Sequence, residues 1–469
     1  MKKFLAIIAV LALTVISTAA MAEVTVSGSV DIRSLMQNNP DTLSNGTGAT
    51  TIDGRPNPNA DRNRTTQDRF RINIDAKNDN VKGRVTFEND WEAWGTQTNI
   101  TSGSLLGGVP VGVEARPAQA NNGNKFGIRE GWIDFVIPGA TPAHVKVGHQ
   151  FLQLGNGWFF RSNKYGSDAW LVGLPGKNTI AFVDVKGHEG AVGAHDDVDA
   201  FVLLDNFKID DTKTVGIYIA SLQDRRGNAF SAAFGNAYSA ATGTTGTLPG
   251  DTRPAYSEGT QNTIGLWFNG KLGPANVQAE FDIQMGTLKD NPAIGGTEPD
   301  QKFKGMQLVL QGNMPVGAAA INATIGYGTG DDPNDTSNDI KSYIPLLDAD
   351  PHYTFVYEYF AKTACFGLKN TGFCNTTALN LGASMAVTKW LTASLDIWNL
   401  KATEKVSLNG AELSDDLGNE IDIVLKFKLY DQLTWNWQFG RLMTGDAYKN
   451  NQGKVDDVDA IQGILSYKF

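Results

Sequence analysis

Apolar and polar residues alternate along most of this chain, in segments too long for ordinary soluble strands. Phe70, Ile72, Ile74 and Ala76 interleave with Arg69, Arg71, Asn73, Asp75 and Lys77. Val277, Ala279, Phe281, Ile283 and Met285 interleave with Asn276, Gln278, Glu280, Asp282 and Gln284. Ile421, Ile423, Leu425, Phe427 and Leu429 do the same with Asp422, Lys426 and Lys428. Successive side chains of a strand point to opposite faces, so each segment has one apolar and one polar face. A β-sandwich would bury the apolar faces between sheets. A transmembrane barrel would turn them to lipid and keep the polar faces around a lumen. Segments of about 10–13 residues suit a tilted membrane strand better than the ~5–6 residues of soluble sheets. Trp91, Trp390, Tyr430, Trp435 and Trp437 gather at strand ends, as an interfacial girdle requires.

Composition agrees once it is split by parity. A mean hydropathy of -0.24 and only 19% charged residues exclude both a helical polytopic membrane protein and a disordered chain. A net charge of -10 argues against nucleic acid as a partner. Lys2 and Lys3, the apolar stretch from Phe4 to Ile16, and Ala20-Met21-Ala22 form a secretory signal peptide. Cleavage is expected after residue 22, leaving 23–469 as one barrel domain.

Short connections at Asn78–Asn80, Gly139–Thr141, Asp210–Asp211, Gly273–Pro274, Pro315–Val316, Thr388–Lys389 and Asp431–Gln432 alternate with long ones. Short periplasmic turns and long outer loops are the barrel pattern. Parity is kept if residues 166–187 hold two strands, Ser167–Leu174 and Asn178–Gly187, around Pro175-Gly176-Lys177. The expected fold is all-β, a single antiparallel barrel of 18 strands, with 16 as the alternative. The apolar Tyr353–Phe360 then belongs inside the 330–375 loop, packed on the rim or dipping into the lumen.

The last segment alternates through Ile461, Gly463, Leu465 and Tyr467 to Phe469. It resembles the closing strand of Gram-negative outer-membrane barrels, which implies engagement of the barrel assembly machinery through Phe469 and a setting of outer-membrane lipid and lipopolysaccharide. Gly148-His149-Gln150, Leu154-Gly155-Asn156-Gly157-Trp158-Phe159, Glu420–Tyr430, Leu433–Phe439 and Gly445-Asp446-Ala447-Tyr448 resemble the alginate-export-type porins and related proteobacterial porins. That resemblance implies a barrel of about 18 strands with an electropositive lumen.

Polar parity gives a lumen inventory. Arg69, Arg71, Lys82, Arg84, Arg129 and Lys146 lie on four consecutive strands and form a basic ladder, and Glu280 and Asp282 form an opposing acidic wall. Such a field orients dipolar solutes and favours anions on the basic side. The same charges also read as generic lining, with Arg84 beside Asp75. Arg161 and Lys164 join the ladder if the 153–167 loop turns inward as a constriction. Cys365 and Cys374 enclose eight residues, and in an oxidising compartment they are expected to form a disulfide. Asp196-Asp197, Gly330–Asp335, Asp456-Asp457 and Asp459 read as solvated turns without EF-hand register, so no metal is expected.

Catalysis is not expected. His149 shares the lipid-facing parity of Val145 and Val147, and no Ser lies two residues away. C-x-x-C-H is absent, so no haem is attached and no cofactor is expected. The expected function is passive diffusion of small hydrophilic, preferentially anionic solutes. The alternative is export of an anionic polysaccharide, and a lesser one is a structural barrel or adhesin. Whether one chain or a trimer forms the channel is left open.

Overall fold

A computed structural model describes residues 23–39, 62–93, 126–139, 141–176, 178–189, 197–225, 256–290, 300–335, 337, 339–347, 353–358, 365, 372–408, 412–450, 453 and 455–469. Residues 1–22, most of the long connections, Lys177, Asp196, Tyr359 and Phe360 lie outside them. So do the side chains of Asp90 and Trp91.

Eighteen antiparallel wall strands close on themselves. They are β1 (Glu23–Asn38), β2 (Arg62–Lys77), β3 (Val81–Ala93), β4 (Phe126–Ile137), β5 (Ala143–Gln150), β6 (Ser167–Leu174), β7 (Asn178–His188), β8 (Val198–Asp210) and β9 (Lys213–Asp224). They continue as β10 (Tyr256–Leu272), β11 (Ala275–Asp290), β12 (Met306–Val316), β13 (Ala319–Gly328), β14 (Thr376–Ala386), β15 (Leu391–Val406), β16 (Ser414–Lys428), β17 (Leu433–Thr444) and β18 (Val458–Lys468). Each pairs with its neighbours in sequence, and β18 returns to β1 with Asp31 opposite Ser466 and Gln37 opposite Ala460. Phe469 completes the seam, its N–H donating to the Gly28 carbonyl and its carbonyl accepting from the Gly28 N–H. Closure leaves no edge with unpaired backbone groups, the condition for crossing a bilayer with strands. The count is eighteen, not sixteen, because 167–174 and 178–188 are both wall strands.

The short turns fall where the alternation breaks. Asn78 Oδ1 accepts from the N–H groups of Asn80 and Val81, an Asx turn that ends β2. Gly273 turns at φ +61 between β10 and β11. One turn is displaced from its expected place: Pro315 and Val316 finish β12, and the turn is made after them, where Gly317 takes φ +63.

The outward face is apolar. Ile283, Met285, Leu308, Leu310, Ile325, Leu379, Leu381, Ile397 and Ile423 are exposed side by side on it. At the short-turn end, rings continue from Trp390 to Phe427, Trp435, Trp437 and Phe439, with centroids 5.3–6.3 Å apart. That is a belt for a headgroup interface. Among the described residues, the inward face departs from simple alternation over β7–β9. Val183, Val185, Ala200, Val202, Ala220 and Leu222 point inward and are buried, although their strands also carry apolar residues outward. Chain folded into the lumen covers them.

Candidate functional site

The basic ladder is interleaved with acids. Strand register sets Arg69 opposite Asp31, Arg71 opposite Glu88 and Arg84 opposite Asp75. Arg69 Nη2 lies 3.1 Å from Asp31, and Arg84 Nε lies 2.7 Å from Asp75 and within 3.8 Å of Glu130 through Nη1. Glu88 is shared by Arg71 and by Arg129, whose Nη1 is 3.0 Å away. Arg33 donates to Gln67. Arg129 reaches the lumen through a β-bulge between Thr86 and Phe87 in the β3–β4 register, which places it on the same side as the adjacent Glu130. Lys146 Nζ sits 4.1 Å from the Trp132 ring centre, with Arg84 5.9 Å from the same ring. Trp132 Nε1 donates to Glu130. Lys82 is exposed next to the Asn78–Asn80 turn. Sequence parity missed Trp132 as a lumen group, since an aromatic on the polar face breaks the alternation it relies on.

Across the barrel, Glu280 is buried beneath the segment 151–166. It accepts from the backbone N–H groups of Asn156 at 2.5 Å, and of Trp158 and Phe159 at 3.1 Å each. Gly155 and Gly157, at φ +54 and +88, turn these donors to one side and form an anion-binding concavity. A Cβ on Gly155 would meet Glu280 Oε2. Asp282 accepts from the hydroxyls of Tyr218 and Tyr343 and from Gln307. The other end of the segment is held from the basic side. Arg129 Nη2 donates to the Asn163 carbonyl, and His149, whose Nδ1 lies 2.8 Å from Asp168, sets Nε2 2.8 Å from the Tyr165 carbonyl. Arg161 Nε and Nη2 each lie 3.0 Å from the Asn163 side-chain amide. Lys164 is buried, its Nζ 5.2 Å from the Tyr165 ring centre. The 151–166 segment is thus strung across the lumen between a wall arginine and a wall glutamate.

A second inward segment comes from the connection between β13 and β14. Glu420 accepts from the N–H groups of Val356 at 2.6 Å and Tyr357 at 2.8 Å, and Asp422 accepts from Phe355 N–H at 3.3 Å. Cys365 and Cys374 are disulfide-bonded, and the neighbouring Gly372 N–H donates to Glu358. The Phe373 ring lies 4.9 Å from Trp158 and 4.3 Å from Tyr353, which stands 5.4 Å from Trp398. Wall glycines make room for these rings: a Cβ on Gly326 would strike Phe373, and one on Gly440 would strike Phe355 and Val356. The two segments join where Leu346 N–H donates to the Phe159 carbonyl at 2.7 Å and Leu346–Leu347 pairs in parallel with Phe160–Arg161. Glu420 was the group sequence reading missed. Its signal was present, since Glu280-Phe281-Asp282 and Glu420-Ile421-Asp422 repeat one acid-apolar-acid pattern on inward faces.

Beneath the two segments lies a cavity of about 940 Å³, lined by Trp158, Tyr353 and Trp398 and by amides that include Asn276, Gln278, Gln311, Asn322, Asn380, Gln438 and Gln462. Arg161, Asp396 and Asp422 are its charged lining. The lumen therefore has a mixed-charge side on β1–β5, an apolar side on β7–β9 covered by the inward segments, and an amide-rich side on β11–β18.

The sequence profile of the alginate-export family matches residues 50–458. No curated protein matches the chain in sequence. Solved structures share its fold. Pseudomonas aeruginosa OccK9 (OpdG) superposes with a TM-score of 0.54 at 11% identity over 95% of this chain and 98% of its own. OccK2 (OpdF) of the same organism, in complex with glucuronate, gives 0.51 at 11% identity over 96% and 98%. OpdK with vanillate, also from P. aeruginosa, gives 0.50 at 9% identity over 95% and 98%.

Proposed function

The chain belongs to the alginate-export family, and from that premise we propose that it is an outer-membrane porin, a passive diffusion channel for small hydrophilic solutes with anions favoured on the basic side. The observation that carries this reading is the pair of inward segments. Each is tied by backbone N–H groups to a wall carboxylate, Glu280 or Glu420. Such a seat narrows a water-filled lumen permanently and leaves a polar path whose width, not a moving part, selects solutes. Glucuronate and vanillate in two barrels of the same fold are both carboxylates, which supports anionic cargo here. Arginine forks on β2–β4 are suited to carboxylates.

Residues 1–22 act as the cleaved export signal, and the β18 seam ending at Phe469 engages the assembly machinery before the barrel meets lipid and lipopolysaccharide. The barrel is a conduit rather than an enzyme. Export of an anionic polysaccharide is the second reading, and the family description favours it. A polymer needs a continuous charged track, whereas the seated segments favour small solutes.

Planar-bilayer recording of the purified protein tests the proposal. Ion conductance with a reversal potential on the anion side in a salt gradient is expected. A closed barrel rejects it, and loss of surface polysaccharide in a deletion strain with solute uptake intact selects the exporter.

A further inference from the structure

Strands β7 and β8 depart from the amphipathic pattern of the wall on both faces. Their inward side chains Val183, Val185, Ala200 and Val202 are buried in the apolar cluster that the inward segments complete. Alternation then turns Asp184 and Asp205 outward, onto the face that elsewhere meets lipid. Asp205 stands in register between Ile180 and Ile217, both exposed, and follows the exposed Leu203 on the same face. Asp184 stands in register between Phe201 and Trp170, which is 55% exposed. By contrast, β12, β13 and β14 carry no charged residue at all.

A carboxylate on a lipid-facing strand loses hydration without gaining a partner, so its presence there points to a contact other than lipid. Neither acid is neutralised within the chain. Asp205 Oδ2 accepts from Asn178 Nδ2 at 3.2 Å, and its sealed Oδ1 has no partner. Asp184 makes no hydrogen bond or ion pair among the described residues. The next outward residue on its strand, Lys186, is already held by Asp199 at 2.7 Å, Asp197 at 3.3 Å and Glu189 at 3.4 Å. Between the two acids the Phe182 and Phe201 rings stack with centroids 6.4 Å apart. Exposed aromatic anchors beside a charge that needs an opposite one are the chemistry of a protein interface.

We propose that the outward face of β6–β8 docks a membrane-embedded segment of another protein that presents lysine or arginine to Asp184 and Asp205. Charge decides the occupant. Lipopolysaccharide phosphates are anionic, and these carboxylates repel them, as do Asp168 and Asp199 in register with Lys186. A second copy docked about a two-fold axis sets the same acids against each other. A different face of a second copy offers no free cation at that depth among the described residues, since Arg441, outward on β17, is already paired with Asp457 at 2.8 Å and Asp459 at 3.4 Å. The inference concerns the outside of the barrel and is independent of which solutes cross the lumen.

Photo-crosslinking of the full chain in the native host's outer membrane tests the proposal. p-Benzoylphenylalanine is placed at Leu203 inside the patch or at Leu381 on β14, both exposed outward. Expected is an adduct from position 203 to a different polypeptide, with lysine or arginine in the crosslinked stretch, and about tenfold less adduct from position 381. D184N/D205N, which keeps the shape of both side chains, should cut the adduct from position 203 about tenfold, with heat-resistant migration of the barrel preserved. The single change D184N, at the more open acid, should cut it about threefold. An adduct to a second copy, to lipid alone, or to a partner stretch without a basic residue overturns the proposal. Equal yield at the two positions, no adduct at all, or a yield that both variants leave unchanged overturns it as well. The channel reading is judged separately, by the conductance of the unmodified protein in planar bilayers.

Discussion

The indole of Trp158 and the ring of Phe373 lie 4.9 Å apart inside the barrel, one from the connection after β5 and the other from the connection before β14. Neither belongs to the wall, yet their contact joins the two segments that shape the lumen. Aromatic pairs at this spacing contribute about 0.5–1.5 kcal/mol beyond area burial. The contact is small beside the carboxylate seats beneath it, and those seats are the place to test the constriction.

Glu280→Ala removes the acceptor for three backbone N–H groups and leaves them buried without partners. Each such group costs about 1–3 kcal/mol. The 151–166 segment should leave its seat, raising single-channel conductance about twofold and opening new protease sites within the segment. Wild-type conductance and protease resistance in the variant would count against the seat.

Neutralising Arg69, Arg71, Arg84 and Arg129 together should do more than weaken anion preference. Asp31, Asp75, Glu88 and Glu130 lose their ion-pair partners among these four arginines and remain on the same wall. The reversal potential in a salt gradient should therefore cross to the cation side, and it should do so most strongly at low ionic strength, where screening is weakest. A potential that stays put would assign these arginines to the support of the wall alone.

Gly326→Ala places a methyl group where the Phe373 ring now lies. Overpacking of this kind costs about 1–3 kcal/mol. The barrel is expected to fold, with heat-resistant migration on electrophoresis preserved, but with noisier current than wild type. Restoring quiet current with the second-site change Phe373→Leu would tie the effect to that socket.

Removing the Cys365–Cys374 bond by a C365S/C374S change releases a loop closure worth about 2–3 kcal/mol by the chain-entropy estimate. Protease cleavage between the two positions should accelerate, while strand content by circular dichroism stays constant. Unchanged cleavage would show that Glu358 and the Phe373 stack hold the segment unaided.

One loop carries a pH signature. Lys341, with Nζ 2.7 Å from Asp335, and then the Ser337 hydrogen bonds hold the Asp335 carboxyl well below the usual carboxylate range. A depressed carboxyl stabilises the loop fully above its unfolded value of about 3.9, and that contribution is lost as pH falls through the lower folded value. Amide-exchange protection at Ser337 should hold steady from neutral pH down to about pH 4 and decline below it. In D335N the decline should vanish.

Period-two alternation determined the strands and the outward apolar band, because each wall residue has only two faces to choose from and lipid accepts one kind; strand length and the order of short and long connections added the barrel and the count of eighteen, with sixteen as the alternative. It also placed Arg69, Arg71 and Arg84 on the lumen side and kept Tyr353–Glu358 out of the wall. It did not reveal that each of these arginines meets an acid, since cross-strand register depends on turn length and bulges that alternation does not encode; the bulge beside Arg129 is the clearest case. Nor did it reveal what Glu280 and Glu420 hold. The partners are backbone N–H groups, which carry no side-chain identity and become a binding surface only when Gly155, Gly157 and the chain around Val356 are folded into the lumen. The apolar inward faces of β7–β9 follow from the same cause: parity predicts water there, and the tertiary structure puts protein there instead.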